Sequence, residues 1–150
     1  MMSELRELYQ QVILDHNRKP RNFRRVARPT LRAEGHNPLC GDHVSVELSL
    51  EGEVIRDIGF QGSGCAISKA SASMMTGRLQ GRTVAEAEAL FERFHRMLIQ
   101  DSAESPAADL GKLAVFAGVR EFPSRIKCAT LPWHTAHAAL AGHAEPVTTE

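Results

Sequence analysis

Three cysteines, Cys40, Cys65 and Cys128, are the residues of this 150-residue sequence best suited to chemistry. A thiol becomes a strong ligand and nucleophile only on losing its proton, so their placement decides what they can do. Cys65 follows Gly62-Ser63-Gly64 at an expected strand-to-helix junction, and Cys128 opens the expected last helix. A helix N-terminus offers free N–H groups and a partial positive charge, and both favour a thiolate. Cys40 lies in Asn37-Pro38-Leu39-Cys40-Gly41-Asp42, on an expected turn where Gly41 lets the backbone flex. Asp42, two residues on, is close enough for the turn to aim both side chains at one ion. Three thiolates and a carboxylate make a tetrahedral set for zinc. His36, His43 and His134 also lie near cysteines, and each is an alternative to Asp42 as fourth ligand. Strand alternation turns His43 away from Asp42, and His134 sits well down the last helix. The competing account makes the cysteines small buried hydrophobes. Against it, none of the three falls in a regular apolar stripe.

The elements that must position these residues follow from periodicity. Leu5, Leu8, Val12 and Ile13 recur at helical spacing and predict an amphipathic helix from Ser3 to about His16, ended by Pro20. His16 at its end is read as a cation meeting the helix C-terminus. Val44, Val46, Leu48 and Leu50 alternate with polar residues, which predicts a half-buried strand from His43. Glu51-Gly52 turns it into a second strand, Val54 to Phe60, and a third is expected in Arg28 to Ala33. Helices are expected from about Cys65 to Leu79 and from Val84 to about Gln100, the latter opened by a Thr83/Glu86 capping box. A short helix over Leu110 to Ala117 and a last one from Cys128 to about Leu140 complete the list, with Pro132 in the last helix's first turn. The order predicts an α+β fold: a small antiparallel three-stranded sheet with helices packed on one face. A single domain over residues 1–150 is expected, with a loose tail from about 142.

Lys+Arg and Asp+Glu both number 18, so no global field favours nucleic acid or an anionic membrane. No apolar run approaches bilayer length and the N-terminus has no apolar signal core, which sets the expected location as cytoplasmic. An odd cysteine count in that setting argues for thiols rather than a disulfide framework. The basic stretch from Arg18 to Arg32 lacks the aromatic interleaving of a nucleic-acid site apart from Phe23. A solvated arm and a docking surface for an acidic patch on a partner are the two readings that stand for it. Gly62-Ser63-Gly64 is not a phosphate loop, because the Walker lysine and its spacing are missing.

The residues around each cysteine are more specific than the spacing. His36-Asn37-Pro38-Leu39-Cys40-Gly41-Asp42, the run from Gly62 through Gly64-Cys65-Ala66-Ile67-Ser68-Lys69 to Met74-Met75-Thr76, and Arg125-Ile126-Lys127-Cys128-Ala129-Thr130-Leu131-Pro132-Trp133-His134 closely resemble the three cysteine motifs of the IscU/NifU N-terminal family. Leu8-Tyr9, Ile13-Leu14-Asp15-His16 and Pro20-Arg21-Asn22 resemble its opening, and the likeness runs from about Leu5 to Leu140. Within the family it looks like the SufU branch. The segment between Cys65 and Cys128 is long, Lys127 stands where classical IscU scaffolds have histidine, and the chaperone-recruiting Leu-Pro-Pro-Val-Lys is missing. Pro132 stands in place of a more usual alanine.

The resemblance implies a SufE/IscU-like fold and a role in iron–sulfur cluster assembly. It implies zinc on Cys40, Asp42, Cys65 and Cys128, with Cys40 taking persulfide sulfur from a SufS-like cysteine desulfurase. Arg125 matches a basic position near the site, and Lys127 is a second candidate for site support or partner contact. Other iron–sulfur assembly proteins are further expected partners. Two alternatives stand beside this: a scaffold building a transient [2Fe–2S] cluster on the same ligands, and a structural zinc protein that only binds partners.

Overall fold

Val44, Val46 and Leu48 alternate with polar neighbours, so an extended chain can bury all three on one face. In the computed structural model, which describes residues 2–38, 41–99, 110–121, 123–142 and 146–148, they lie on strand β2, Asp42–Glu51. β2 pairs antiparallel with β1, Leu31–Asn37, and with β3, Val54–Ser63. A fourth strand, β4, is Val147–Thr148, parallel to β1 at Gly35 and His36. The sheet order is β3-β2-β1-β4, so the expected three strands become four. β4 has two residues, too few for alternation to show in sequence. β1 lies later than the expected Arg28–Ala33 because it continues through Gly35. A Cβ there would collide with Oγ1 of Thr135, so this glycine lets the last helix press on the strand.

Helices α1 (Met2–Arg18), α2 (Ala66–Leu79), α3 (Val84–Ile99) and α4 (Pro123–Leu140) accompany the sheet, with a 3₁₀ segment at Gly111–Glu121. α4 packs on β1 and β2, and α2 packs on β3. Thr83 and Glu86 form the expected capping box, each backbone N–H bonding the other side chain at 3.1 Å. Phe94 stacks on Trp133 at 4.6 Å and meets Phe116 edge-on at 5.8 Å, joining α3, α4 and the 3₁₀ segment. No described helix is long and apolar enough to cross a membrane.

α2 is buried along most of its length, from Ala70 to Thr76. Its alternating small residues make that possible, and its hydroxyls find partners. Ser71 donates to the Ala129 carbonyl at 2.6 Å and accepts from Trp133 Nε1 at 3.1 Å. Ser73 meets His16 Nδ1 at 2.7 Å and accepts the Arg21 N–H at 2.8 Å. His16 is therefore no exposed cation at a helix end: burial, then Arg21, lowers its pKa.

α4 corrects a second expectation. It begins at Pro123, so Cys128 lies inside the helix and Pro132 falls in its interior. The Ser124-Arg125-Ile126-Lys127 run carries no apolar stripe that would have revealed the added turn. Pro132 has no N–H to donate to the carbonyl of Cys128, which relaxes the helix at the cysteine.

Two histidines give the fold an expected pH dependence. Burial lowers the pKa of His134, with His95 and His137 adding to it, and His16 is lowered as above. The unfolded chain then binds protons more readily than the folded one between the lowered values and 6.5. The associated stability is complete above 6.5 and is lost as pH falls through the folded pKa values. The melting temperature should drop between pH 7.5 and 5.5, and His134→Gln should flatten the decline; identical slopes for both proteins would remove His134 from the account.

Candidate metal centre

The centre is assembled at one end of the sheet. Asn37 closes β1 and Asp42 opens β2 in register opposite it, both turned to the helix side and both buried, at 0% and 2% exposure. β3 runs on to Ser63, and Gly64 then passes against Asp42. At Gly64 φ is +154°, and a Cβ would collide with Oδ1 of Asp42. Only glycine lets the chain cross this close and deliver Cys65 to the same point. Cys65 caps α2 with φ −75° and ψ 165°; its backbone N–H donates to Asp42 Oδ1 at 2.8 Å. α4 brings Cys128 from the other side, 1% exposed.

One ligand atom from each of Asp42, Cys65 and Cys128 lies within 4.8 Å of the others, the one such convergence among the described residues. Cys65 Sγ stands 3.7 Å from Asp42 Oδ2. Tetrahedral zinc with thiolate and carboxylate ligands spaces its donors about 3.5–3.8 Å apart. The carboxylate and Cys65 already meet that spacing, so the residues fit a divalent ion of borderline softness. The set supplies three of four positions.

The electrostatics favour giving up protons here. The Cys65 pKa falls from 9.0 to about 7. The largest cause is the hydrogen bond from the Cys128 thiol, aided by the N–H groups of Ser68 and Ile67 and opposed by burial and by the Asp42 charge. The Ser68 N–H lies 3.4 Å from the sulfur, which is the helix-start effect expected from sequence. Cys128 draws nothing from a helix start, because it sits a turn and a half inside α4. Asn37 Nδ2 donates to its Sγ at 3.6 Å. Asn37 stood in the sequence motif without a role; an asparagine ending a strand opposite an aspartate was the available signal.

Cys40 lies outside the described residues; Gly41 beside it has φ +71°, the left-handed conformation expected of a turn glycine. Arg125 is exposed on α4 one turn before Cys128, and Lys127 is half-buried next to it. The alternative histidines do not converge with the cysteines. His36 and His43 face each other across the strands with ring centroids 4.5 Å apart, on the side opposite Asn37 and Asp42. His134 packs on Phe91 and His95 at 5.2 and 5.5 Å, between α3 and α4. In the basic arm, Arg24 pairs with both oxygens of Asp57, at 2.6 and 3.2 Å. Arg21 pairs with Asp15 at 3.0 Å and Arg32 with Glu34 at 3.3 Å. Arg18, Lys19, Arg25 and Arg28 carry no ion pair among the described residues and are exposed charges of the arm.

Comparison with known proteins agrees with this geometry. Residues 8–129 match the model of the NifU-like N-terminal domain. The zinc-dependent sulfurtransferase SufU of Bacillus subtilis (strain 168) is 39% identical over 139 residues, covering 93% of each chain. The iron–sulfur cluster assembly scaffold protein IscU of Streptococcus pyogenes serotype M1 is also 39% identical, over 93% of this chain and 86% of its own. A crystal structure of a candidate SUF-system scaffold protein from Fervidobacterium islandicum AW-1 superposes with a TM-score of 0.80 at 32% identity, covering 86% of this chain and 93% of that one. The matched span carries the carboxylate and both sulfurs of the centre, from the strand that ends at Asn37 to the helix that holds Cys128. On this evidence the chain belongs to the family of NifU-like N-terminal domains.

Proposed function

We propose that this chain serves iron–sulfur cluster assembly as a zinc-holding sulfur acceptor, loaded by a SufS-like cysteine desulfurase in the cytoplasm. The convergence of Asp42, Cys65 and Cys128 carries the reading, supported by the likeness to a zinc-dependent sulfurtransferase. Asp42, Cys65 and Cys128 would hold the ion, with Cys40 as the fourth ligand. Zinc, when bound, supplies positive charge that keeps the thiols deprotonated and ties distant segments together.

The transfer itself is thiol–disulfide chemistry. The Cys40 thiolate attacks the outer, sulfane sulfur of the donor's persulfide. A new S–S bond forms on Cys40, the donor's S–S bond breaks, and the donor cysteine leaves as a thiolate, with no net electron change. Asp42 suits such a site because a carboxylate holds zinc less tightly than a thiolate would, so Cys40 can be released. Arg25 and Arg28 would steer an acidic partner surface, while Arg24 is engaged with Asp57. Arg125 and Lys127 stand beside Cys128 as candidate contacts.

Elemental analysis should find about one zinc per chain, and chelation should lower the melting temperature. The purified protein should accelerate a SufS-type desulfurase in a salt-sensitive manner, with Arg25→Glu weakening the effect. Visible absorption of an iron–sulfur chromophore in place of zinc would favour the scaffold function of the IscU relative. Zinc binding without desulfurase activation would leave a structural zinc protein.

A further inference from the structure

Among the described residues, Asn37 Oδ1 is the buried side-chain polar atom that has no hydrogen-bond partner. The residue is fully buried, and its side chain makes one hydrogen bond, Nδ2 to Cys128 Sγ at 3.6 Å. An amide kept only for packing would be better replaced by leucine, which fills a similar volume and leaves no carbonyl unpaired. The group must therefore matter at the sulfur. Its orientation is informative too. Turned over, the amide would set its oxygen lone pairs against the sulfur, which a thiolate or metal-bound sulfur repels. With the N–H inward, Asn37 donates to the Cys128 sulfur.

We infer that Asn37 is a positioning residue that specialises Cys128 as a holding sulfur. An N–H donated to a thiolate withdraws charge from it. The sulfur remains a ligand but is less available to an electrophile, as outer partners of metal ligands generally tune them. Cys65 receives the equivalent bond from the Ser68 backbone N–H at 3.4 Å. No substitution of Ser68 other than proline can remove that donor, whereas the donor to Cys128 is a side chain and can be removed. Two sulfurs are thus quieted by N–H donors, one built into the helix and one supplied by Asn37. The inference rests on the metal-centre reading only where a bound metal is measured.

The test uses the full chain with Asn37→Leu, and Asn37→Val as a second donor-free variant better suited to a strand end. Each is examined metal-free and after loading with cobalt(II). Limiting iodoacetamide, followed by peptide mass spectrometry, gives the share of label on each cysteine. Cys128 should be the least labelled in the wild type, and its share should rise about three- to tenfold in the variants. The sulfur-to-cobalt absorption should move to longer wavelength, because a sulfur that no longer receives the Asn37 N–H gives up charge more easily. The melting temperature should stay level or rise, since the unpaired carbonyl is gone. An unchanged Cys128 share with an unmoved band in folded variants overturns the inference. So does an equal rise on Cys65 and Cys128, which signals general loosening. If the wild type binds no cobalt, the metal reading fails, and the metal-free labelling still decides the role of Asn37.

Discussion

Gly64→Ala is expected to abolish stoichiometric zinc binding and to destabilise the fold by about 2–3 kcal/mol. The added methyl would collide with Oδ1 of Asp42 and lie 3.0 Å from its Cα and its carboxyl carbon, so backbone on one side or the other must move. The position also has φ +154°, which side-chain-bearing residues rarely adopt. Relief can come only by moving Asp42 away from Cys65 or by reopening the start of α2. Either change breaks the 2.8 Å bond from the Cys65 N–H to Asp42 and separates the donors. In a domain of this size the loss corresponds to a melting-temperature drop of roughly 5–10 °C. Gly77→Ala is the control. It lies inside α2 with nothing within 4 Å of an added Cβ, so alanine should be neutral or stabilise by up to about 1 kcal/mol. A Gly64→Ala protein that melts like the wild type and retains a full equivalent of zinc would show that the strand-to-helix crossing tolerates a side chain.

How much of this was legible in sequence depended on whether a local rule governed the element. Alternation placed β2 and its buried Val44, Val46 and Leu48, and the Thr83/Glu86 pair placed the start of α3. Cys65 was placed at a helix start because glycines next to a periodic run mark a junction. The failures came where tertiary contact overrides local signal. Gly35 reads as a breaker but sits in mid-strand, because Thr135 and Leu131 of α4 occupy the space of its missing side chain. The expected start of the last helix at Cys128 falls short of its true start, because Pro123 suits a helix's first position. That error carried into the site: the pull on Cys128 was assigned to a helix start, and the structure replaces it with an Asn37 side chain from a different element. Asp42 and Asn37 both stand within the first cysteine motif. Their inward direction and near-complete burial depend on the β1–β2 register, which their five-residue spacing cannot express.

Cys40→Ser is expected to abolish sulfur acceptance and desulfurase activation while leaving the fold intact. The contrast with the other two cysteines is physical. Cys65 is fixed through its backbone, with its N–H on Asp42 and its sulfur on the Ser68 N–H; Cys128 is 1% exposed on α4 and bonded by Asn37. The Cys128 sulfur cannot reach a persulfide on another protein without dismantling its surroundings, and the half-buried Cys65 is held in place by its two bonds. Cys40 is expected from sequence to differ, because it precedes Gly41, which takes φ +71° and has no side chain to restrict its backbone. Serine preserves size and a weak ligand but lacks the nucleophile, so activation should fall to the level of the desulfurase alone. Cys65→Ser and Cys128→Ser should instead lose zinc and melt lower, because they remove donors that tie α2 and α4 to the sheet. Mass spectrometry after reaction with desulfurase and cysteine should place the added 32 Da (one sulfur atom, approximately) on the peptide carrying Cys40. Sulfur found on Cys65 or Cys128 in the wild type, or full activation by Cys40→Ser, would reverse the roles of holder and acceptor.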